Sequence, residues 1–212
     1  MARLLLLLLL FISLEASSQR IKTKKAITAC DSILKSKVGD KVYPYFTISD
    51  GSFYLYTNHR HGKRTGKFLS RKKLPRSFET LSFLYHFNYP EIEGVRSGVW
   101  LTLDHNLSSI GNPDFAFIPK FITENRPSDF IPADSALIIA KTNFTTKGIE
   151  VKSPTLSYNE KLKRYEYSVE NIVTRTKDNT GRDVGSLEVI RVNAFTAKIE
   201  SIEKGSYGYI IR

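Results

Sequence analysis

One apolar block stands apart in this chain, and alternation governs the rest. Leu4 to Leu14 is apolar except at Ser13, whereas later hydrophobic residues recur at every second position or every third to fourth. The first spacing belongs to half-buried strands and the second to amphipathic helices. Phe83-Leu-Tyr-His-Phe-Asn-Tyr-Pro90 alternates, Glu93-Gly94 supplies a turn, and Gly98-Val-Trp-Leu-Thr-Leu-Asp104 answers it, which predicts a hairpin whose second arm runs on to Ile110. Residues 165–171 alternate in the same way, a polar loop covers 174–185, and a further strand and turn occupy 187–199.

Upstream of each hairpin lies a helical pattern, over 26–38 before Gly39 and over 133–144 before Gly148. In the second, Ala136, Leu137, Ala140 and Phe144 share a face, and Pro132 suits a helix start, where its missing N–H costs nothing. After each helix comes another strand, near 42–48 with a turn at Asp50-Gly51 and near 149–158 with a turn at Asn159-Glu160. The order helix, strand, strand, strand thus occurs twice, with Gly98 and Gly185, and Asp104 and Asn193, in equivalent places. The expected fold class is α+β: two tandem small units, each a short helix packed on an antiparallel sheet. The first would span residues 19–112 and the second 132–212, joined by a linker over 113–131 whose apolar stretch 115–122 packs against a sheet.

The N-terminal block has another reading. Arg3 ahead of it and Ala16-Ser17-Ser18 behind it complete the pattern of a signal peptide over residues 1–18, with Gln19 starting the mature chain. The block is shorter than the roughly 20 apolar residues a spanning helix needs. Cys30 lies beyond the basic stretch 20–25, away from where a lipid anchor would be attached. The chain is therefore expected to be exported, periplasmic or secreted.

Charge changes the picture more than composition does. The chain has 32 Lys and Arg against 21 Asp and Glu, a net +11, and loss of residues 1–18 removes one Arg and one Glu. The mature protein is strongly basic. Its single cysteine allows no internal disulfide, which points to a bacterial envelope and to stability from packing alone. Cys30 itself reads as a small core residue on the first helix, since no histidine partner stands near it in sequence.

Much of the positive charge is concentrated in one place. Arg60, Lys63, Arg64, Lys67, Arg71, Lys72, Lys73 and Arg76 fall in a segment, 57–77, that contains no acidic residue and reads as a mobile or hairpin-like insertion into the first unit. Such a cluster fits an anionic surface of polysaccharide, lipid headgroups or lipopolysaccharide, and equally a solvated loop that serves solubility. Specific nucleic-acid recognition is not expected, because no nucleic-acid-binding motif is present. The aromatic residues Tyr43, Tyr45, Tyr54 and Tyr56 crowd the same region and are candidates for an interface, with core packing as the alternative. Trp100 is expected to be partly buried.

Chemistry-bearing motifs are few. His59 and His61 would share a strand face, but their surroundings are cationic and no third ligand is close in sequence. His86 and His105 read as sheet and turn residues, and Glu91 and Glu93 as solvated turn carboxylates. The chain has no Gly-x-Ser-x-Gly, phosphate loop or His-Glu-x-x-His. No catalytic residue, metal site or cofactor is expected.

The C-terminal half carries a family resemblance. Ala133-Asp-Ser-Ala-Leu-Ile-Ile-Ala-Lys141 as helix, Tyr165-Glu-Tyr-Ser-Val169 as strand and Leu187-Glu-Val-Ile-Arg-Val-Asn-Ala-Phe-Thr-Ala-Lys198 as strand and turn resemble a PepSY-like, cystatin-like domain. The family's last motif reads as a hydrophobic strand followed by Asp, two residues, Thr-Gly and Lys; here Asn193 stands at the Asp and Ala197 at the Gly. The resemblance implies an inhibitory, chaperoning or interaction module without catalytic residues. The expected function is thus a non-catalytic binding module that holds or inhibits a partner protein in the envelope; the alternative is an adaptor for anionic glycan or membrane surfaces through residues 60–76, with a hydrolase third.

Overall fold

The computed structural model describes residues 23–58, 63–69 and 78–208. The fold is α+β, with few helices and two antiparallel sheets. The chain divides into two compact units: residues up to His86 together with Gly98–Pro113, and Phe87–Ser97 together with Asp114 onward.

The first unit opens with helix α1 (Thr23–Val38). Thr23, Ala26, Cys30 and Leu34 are buried along one stripe, at the three- and four-residue spacing that makes a helix face. Gly39, at φ 82°, ends the helix with its N–H on Lys35 O, a conformation open to glycine at little cost. The stretch expected as a single strand over 42–48 is instead a 3-10 turn (Tyr43–Tyr45) followed by a short β1 (Phe46–Ile48), because Pro44 fixes a turn conformation and offers no N–H to a ladder. Strands β2 (Phe53–Asn58), β3 (Lys63–Phe68), β4 (Thr80–Asn88), β5 (Arg96–Asp104) and β6 (Ser109–Ile110) form a sheet in the order β3-β2-β4-β5-β6, with β1 also on β4.

Alternation along β4 and β5 gives this sheet two different faces. Leu81, Phe83 and Tyr85 of β4 and Val99, Leu101 and Leu103 of β5 are buried on the inner side, where Tyr85 reaches Asp31 of α1. The intervening residues point the other way. Part of the basic segment expected as an insertion is strand: β2 and β3 pair in register from Phe53↔Phe68 to Asn58↔Lys63.

The second unit contains α2 (Lys120–Glu124), α3 (Ala133–Asn143) and strands β7 (Glu150–Val151), β8 (Thr155–Asn159), β9 (Arg164–Ile172), β10 (Thr176–Lys177), β11 (Asp183–Asn193) and β12 (Ile199–Tyr207). The sheet runs β10-β11-β9-β7, with β12 on β11 and β8 on β9. Helix α3 packs on β9 and β11 through Ala136 and Ala140, both wholly buried. Beneath it lie Tyr165, Tyr167 and Val169 of β9 and Ile190 and Val192 of β11. Residues 114–131 fold into this unit, burying Phe117, Phe121 and Ile122 and accepting the Tyr165 hydroxyl on Phe117 O. The 87–97 turn belongs here too: Gly94, at φ 89°, lies where any Cβ would come within 2.2 Å of Leu156 O.

The strand ends at Asp104 and Asn193 turn in similar ways. Asp104 Oδ1 accepts the N–H groups of Asn106 and Ser108, and Asn193 Oδ1 those of Phe195 and Thr196. Each short polar side chain closes the turn on its own backbone. Each turn also holds a non-glycine residue at positive φ, Leu107 at 66° and Ala197 at 60°.

Candidate functional site

The most unusual surface is the outer face of the first unit's sheet. Register places Phe53 beside Phe68 on one side and Ser82 on the other, and Leu55 beside Gly66 and Thr80. Phe53 packs on Trp100 with ring centroids 5.2 Å apart and planes tilted by 58°. Ser82 is hydrogen-bonded to Thr102 at 3.1 Å, and Thr102 pairs with Ile110. Phe53, Phe68, Leu84, Trp100 and Ile110 therefore share one face. Phe68 is 77% exposed, and Trp100 and Ile110 are 45% exposed each.

Two glycines make the face smooth. A Cβ at Gly66 would meet Leu55 Cδ2 at 3.2 Å, and one at Gly98 would meet Leu84 Cδ1 at 3.2 Å, so each leucine lies across a neighbouring strand that has no side chain there. Polar outward positions lie toward the ends of β4 and β5, at His86 and Asp104. Exposed apolar groups occur singly on any protein, but a contiguous aromatic and aliphatic patch marks a contact surface.

The tyrosines singled out from the sequence lie elsewhere. Tyr54 falls on the opposite side of β2 from Phe53 and is half-buried, as are Tyr43 and Tyr45 in the 3-10 turn. Tyr43 bonds Asp31, and burial first and that carboxylate second raise its phenol above the usual range. Tyr56 is placed on β2 by its backbone. Of the basic cluster, Lys63, Arg64 and Lys67 lie on β3. Lys67 is exposed. Arg60, Arg71, Lys72, Lys73 and Arg76 lie outside the described residues, as do His59 and His61.

Groups able to do chemistry are dispersed or already satisfied. His86 is exposed on the outer face, and His105 is exposed in the turn after β5. Glu91 accepts the Tyr89 hydroxyl at 2.6 Å in a solvated turn. Among the described residues no three of His, Cys, Asp and Glu are placed to hold a metal ion. Cys30 is buried in the α1 stripe, where desolvation and the charge of Asp31 push its thiol up to about 12, the opposite of an activated nucleophile.

The second unit has two buried carboxylates, Glu188 in the same alternation as Ile190 and Val192 and Glu166 between Tyr165 and Tyr167. Glu188, wholly buried, accepts the N–H and hydroxyl of Thr145 and the N–H of Thr146. Burial opposes its ionisation, but these hydrogen bonds and nearby Lys204 prevail and hold its pKa below the usual carboxylate value. Glu166, 2% exposed, is held by Arg164 Nε at 2.7 Å and Asn159 Nδ2 at 3.0 Å, while Arg164 also pairs with Glu200, which accepts from Asn193. Every partner is used, so both carboxylates fasten the fold.

A cleft of about 330 Å³ in the same unit is lined by Tyr158, Tyr165 and Phe195, with Lys120, Arg126, Lys163 and Arg164 around it. Arg126 is paired with Glu124 and Asp129, and Lys163 with Asp114. With Arg164 also engaged, the cleft presents little net charge to a ligand. The outer face of the first sheet is the better candidate.

No known family model matches the chain, and neither a curated protein nor a solved structure is significantly similar to it.

Proposed function

We propose that the protein is an exported, non-catalytic binding module built from two related helix-on-sheet units of PepSY-like, cystatin-like type, and that it holds its partner against the outer face of the first unit's sheet. One observation carries this reading: Phe53, Phe68, Trp100 and Ile110 form a shared, solvent-exposed apolar face. An apolar face left in water is retained where it gains a partner, and aromatic rings in a flat array give much contact area at small entropic cost. The kinship of the two units is supported by the small residues on which each helix rests, Ala26 with Cys30 and Ala136 with Ala140, and by the side-chain-closed turns at Asp104 and Asn193. The absence of an activated nucleophile or a poised acid and base among the described residues favours binding over hydrolysis.

The test compares the wild-type protein with a Phe68→Ser, Ile110→Ser variant as bait on envelope extract. Both residues are exposed, so the variant should keep its melting temperature within a few degrees. Loss of the retained material, whether protein, glycan or lipid, supports the face as the contact surface. Unchanged retention by a folded variant removes it.

A further inference from the structure

We infer that the second unit has a binding site of its own, the cleft beside Phe195, and that it takes one uncharged, hydroxylated ring, a pyranose sugar. The site is independent of the outer sheet face of the first unit. Three features select an uncharged sugar over an ion or a hydrocarbon chain.

The first is an aromatic wall that runs from the core to the surface. Ring centroids are 5.1 Å apart from Tyr158 to Tyr165, 5.2 Å from Tyr165 to Phe130 and 4.8 Å from Phe130 to Phe195. Tyr165 is 2% exposed, whereas Phe195 is 41% exposed. A half-exposed ring at a cleft offers apolar contact to the C–H face of a pyranose. Phe195 is also fixed in place: Asn193 Oδ1 accepts its N–H at 3.0 Å, and the N–H of Ala194 beside it bonds Tyr165 O at 3.0 Å.

Balanced charge is the second. Arg126 is matched by Glu124 and Asp129, Lys163 by Asp114, and Arg164 by Glu166 and Glu200, so even with Lys120 the cations around the cleft have no excess over their carboxylates. An anion would meet those carboxylates, and a hydrocarbon chain would cover the ions without replacing their water. Neighbouring hydroxyls suit such pairs, because each donates to a carboxylate while it accepts from a guanidinium or ammonium group. At about 330 Å³ the cleft lies at the low end of ligand-site volumes, which favours a single ring.

The third is an unmet hydrogen bond. Tyr158 lines the cleft, and its buried hydroxyl oxygen has no hydrogen-bond partner among the described residues, an arrangement that costs stability unless something supplies one. Lys163 and Asp114, whose charges act on this phenol, form an exposed pair, and exposed pairs part easily. A sugar hydroxyl that parts them gives the phenol its partner. Backbone strain lies here too: Lys163, on the cleft, is at φ 53°, and Ala197, two residues after Phe195, is at 60°. Such conformations collect where a binding site is held in shape.

The mature chain is titrated with the methyl glycosides of glucose, galactose, mannose and N-acetylglucosamine, followed by saturation-transfer NMR. The expected result is transfer to the ring C–H protons of at least one glycoside, with a Kd of about 1 mM that high salt leaves unchanged. Tyr158→Phe should weaken binding by roughly 5-fold, the loss of one hydrogen bond, without lowering the melting temperature, because its hydroxyl is unpartnered in the free protein. Phe195→Ala should weaken it by roughly 10-fold, and Tyr158→Phe carries the test if that variant is unstable.

No transfer to any of the four glycosides overturns the inference. So does binding that Tyr158→Phe leaves unchanged, which would place the sugar elsewhere, and so does binding abolished by salt, which would mark an ionic contact. Neither substitution touches the first unit's outer face, so the outcome at Phe68 and Ile110 is decided separately.

Discussion

Tyr85, on the inner face of β4, donates its hydroxyl proton to Asp31 Oδ1 of α1 across 2.7 Å. The bond joins the first unit's helix to its sheet at a point where the phenol is only 2% exposed. Burial first, then Asp31, raises the Tyr85 pKa far above its ordinary value of 10.0. A group whose folded pKa is raised contributes stability that is complete below its unfolded pKa and is lost as pH rises beyond it. Unfolding by denaturant should therefore show constant stability from this source up to about pH 10 and a decline above it. Tyr85→Phe should cost about 1–2 kcal/mol at pH 8 and make the alkaline decline shallower. An equally steep decline in the variant would place its source elsewhere, in Tyr165 first, whose phenol burial also raises.

Glu188 gives the opposite pH signature. Its folded pKa is held below the ordinary 4.5, so its contribution is complete above that value and is lost as pH falls through the folded pKa. Glu188→Ala would leave the Thr145 and Thr146 N–H groups without their acceptor, at a cost of about 3 kcal/mol, which thermal unfolding at pH 7 would register. Glu188→Gln should restore part of that loss and flatten acid unfolding below pH 5. Wild-type acid sensitivity in the Gln variant would show that other carboxylates dominate.

Much of the architecture was legible because its periodicity is strong. Alternation along 83–89 and 165–171 corresponds to β4 and β9, and the helix expected from Pro132 onward is α3, Ala133–Asn143. The hairpin of β2 and β3 was harder to read, since Lys63-Arg-Thr-Gly-Lys-Phe68 looks like a charged loop until its cross-strand pairing supplies the ladder. The outer face was not visible at all. Phe53, Phe68 and Trp100 are far apart in sequence, and only strand register shows that they share a side. Local crowding of tyrosines drew notice to residues 43–56 instead. Glu188 was hidden for a similar reason: its partners, Thr145 and Thr146, come from the loop after α3.

Ala197 stands at φ 60°, in a left-handed conformation that is strained for any residue with a Cβ. Ala197→Gly should relieve that strain, set against the greater freedom glycine gains in the unfolded chain. The expected balance is a gain of about 0.5 kcal/mol, read as a small rise in melting temperature. A fall would mean that the alanine methyl makes packing contacts worth more than the strain.

Cys30 offers a direct probe of how the first unit opens. Its thiol is buried and its pKa is pushed up to about 12, so alkylation by iodoacetamide at pH 8 should be negligible in the folded protein and rapid in denaturant. The intermediate rate at low denaturant should follow the opening equilibrium of α1. Fast labelling of the native protein would show that α1 detaches without global unfolding.

Strand β3 ends the path of the first unit's sheet and bears Lys63, Arg64 and Lys67. An outermost strand beside exposed rings is the usual starting point for copies of a chain to stack edge to edge, and like charges along it are a common defence. That defence is electrostatic and therefore conditional. The range of charge repulsion shrinks from about 10 Å at 0.1 M salt to about 3 Å at 1 M, while the apolar attraction between outer faces is undiminished or strengthened. Salt, so often added to keep a protein dispersed, should drive this one toward self-association. Dilute buffer, in which its cations keep neighbouring molecules apart, is where it should be most soluble.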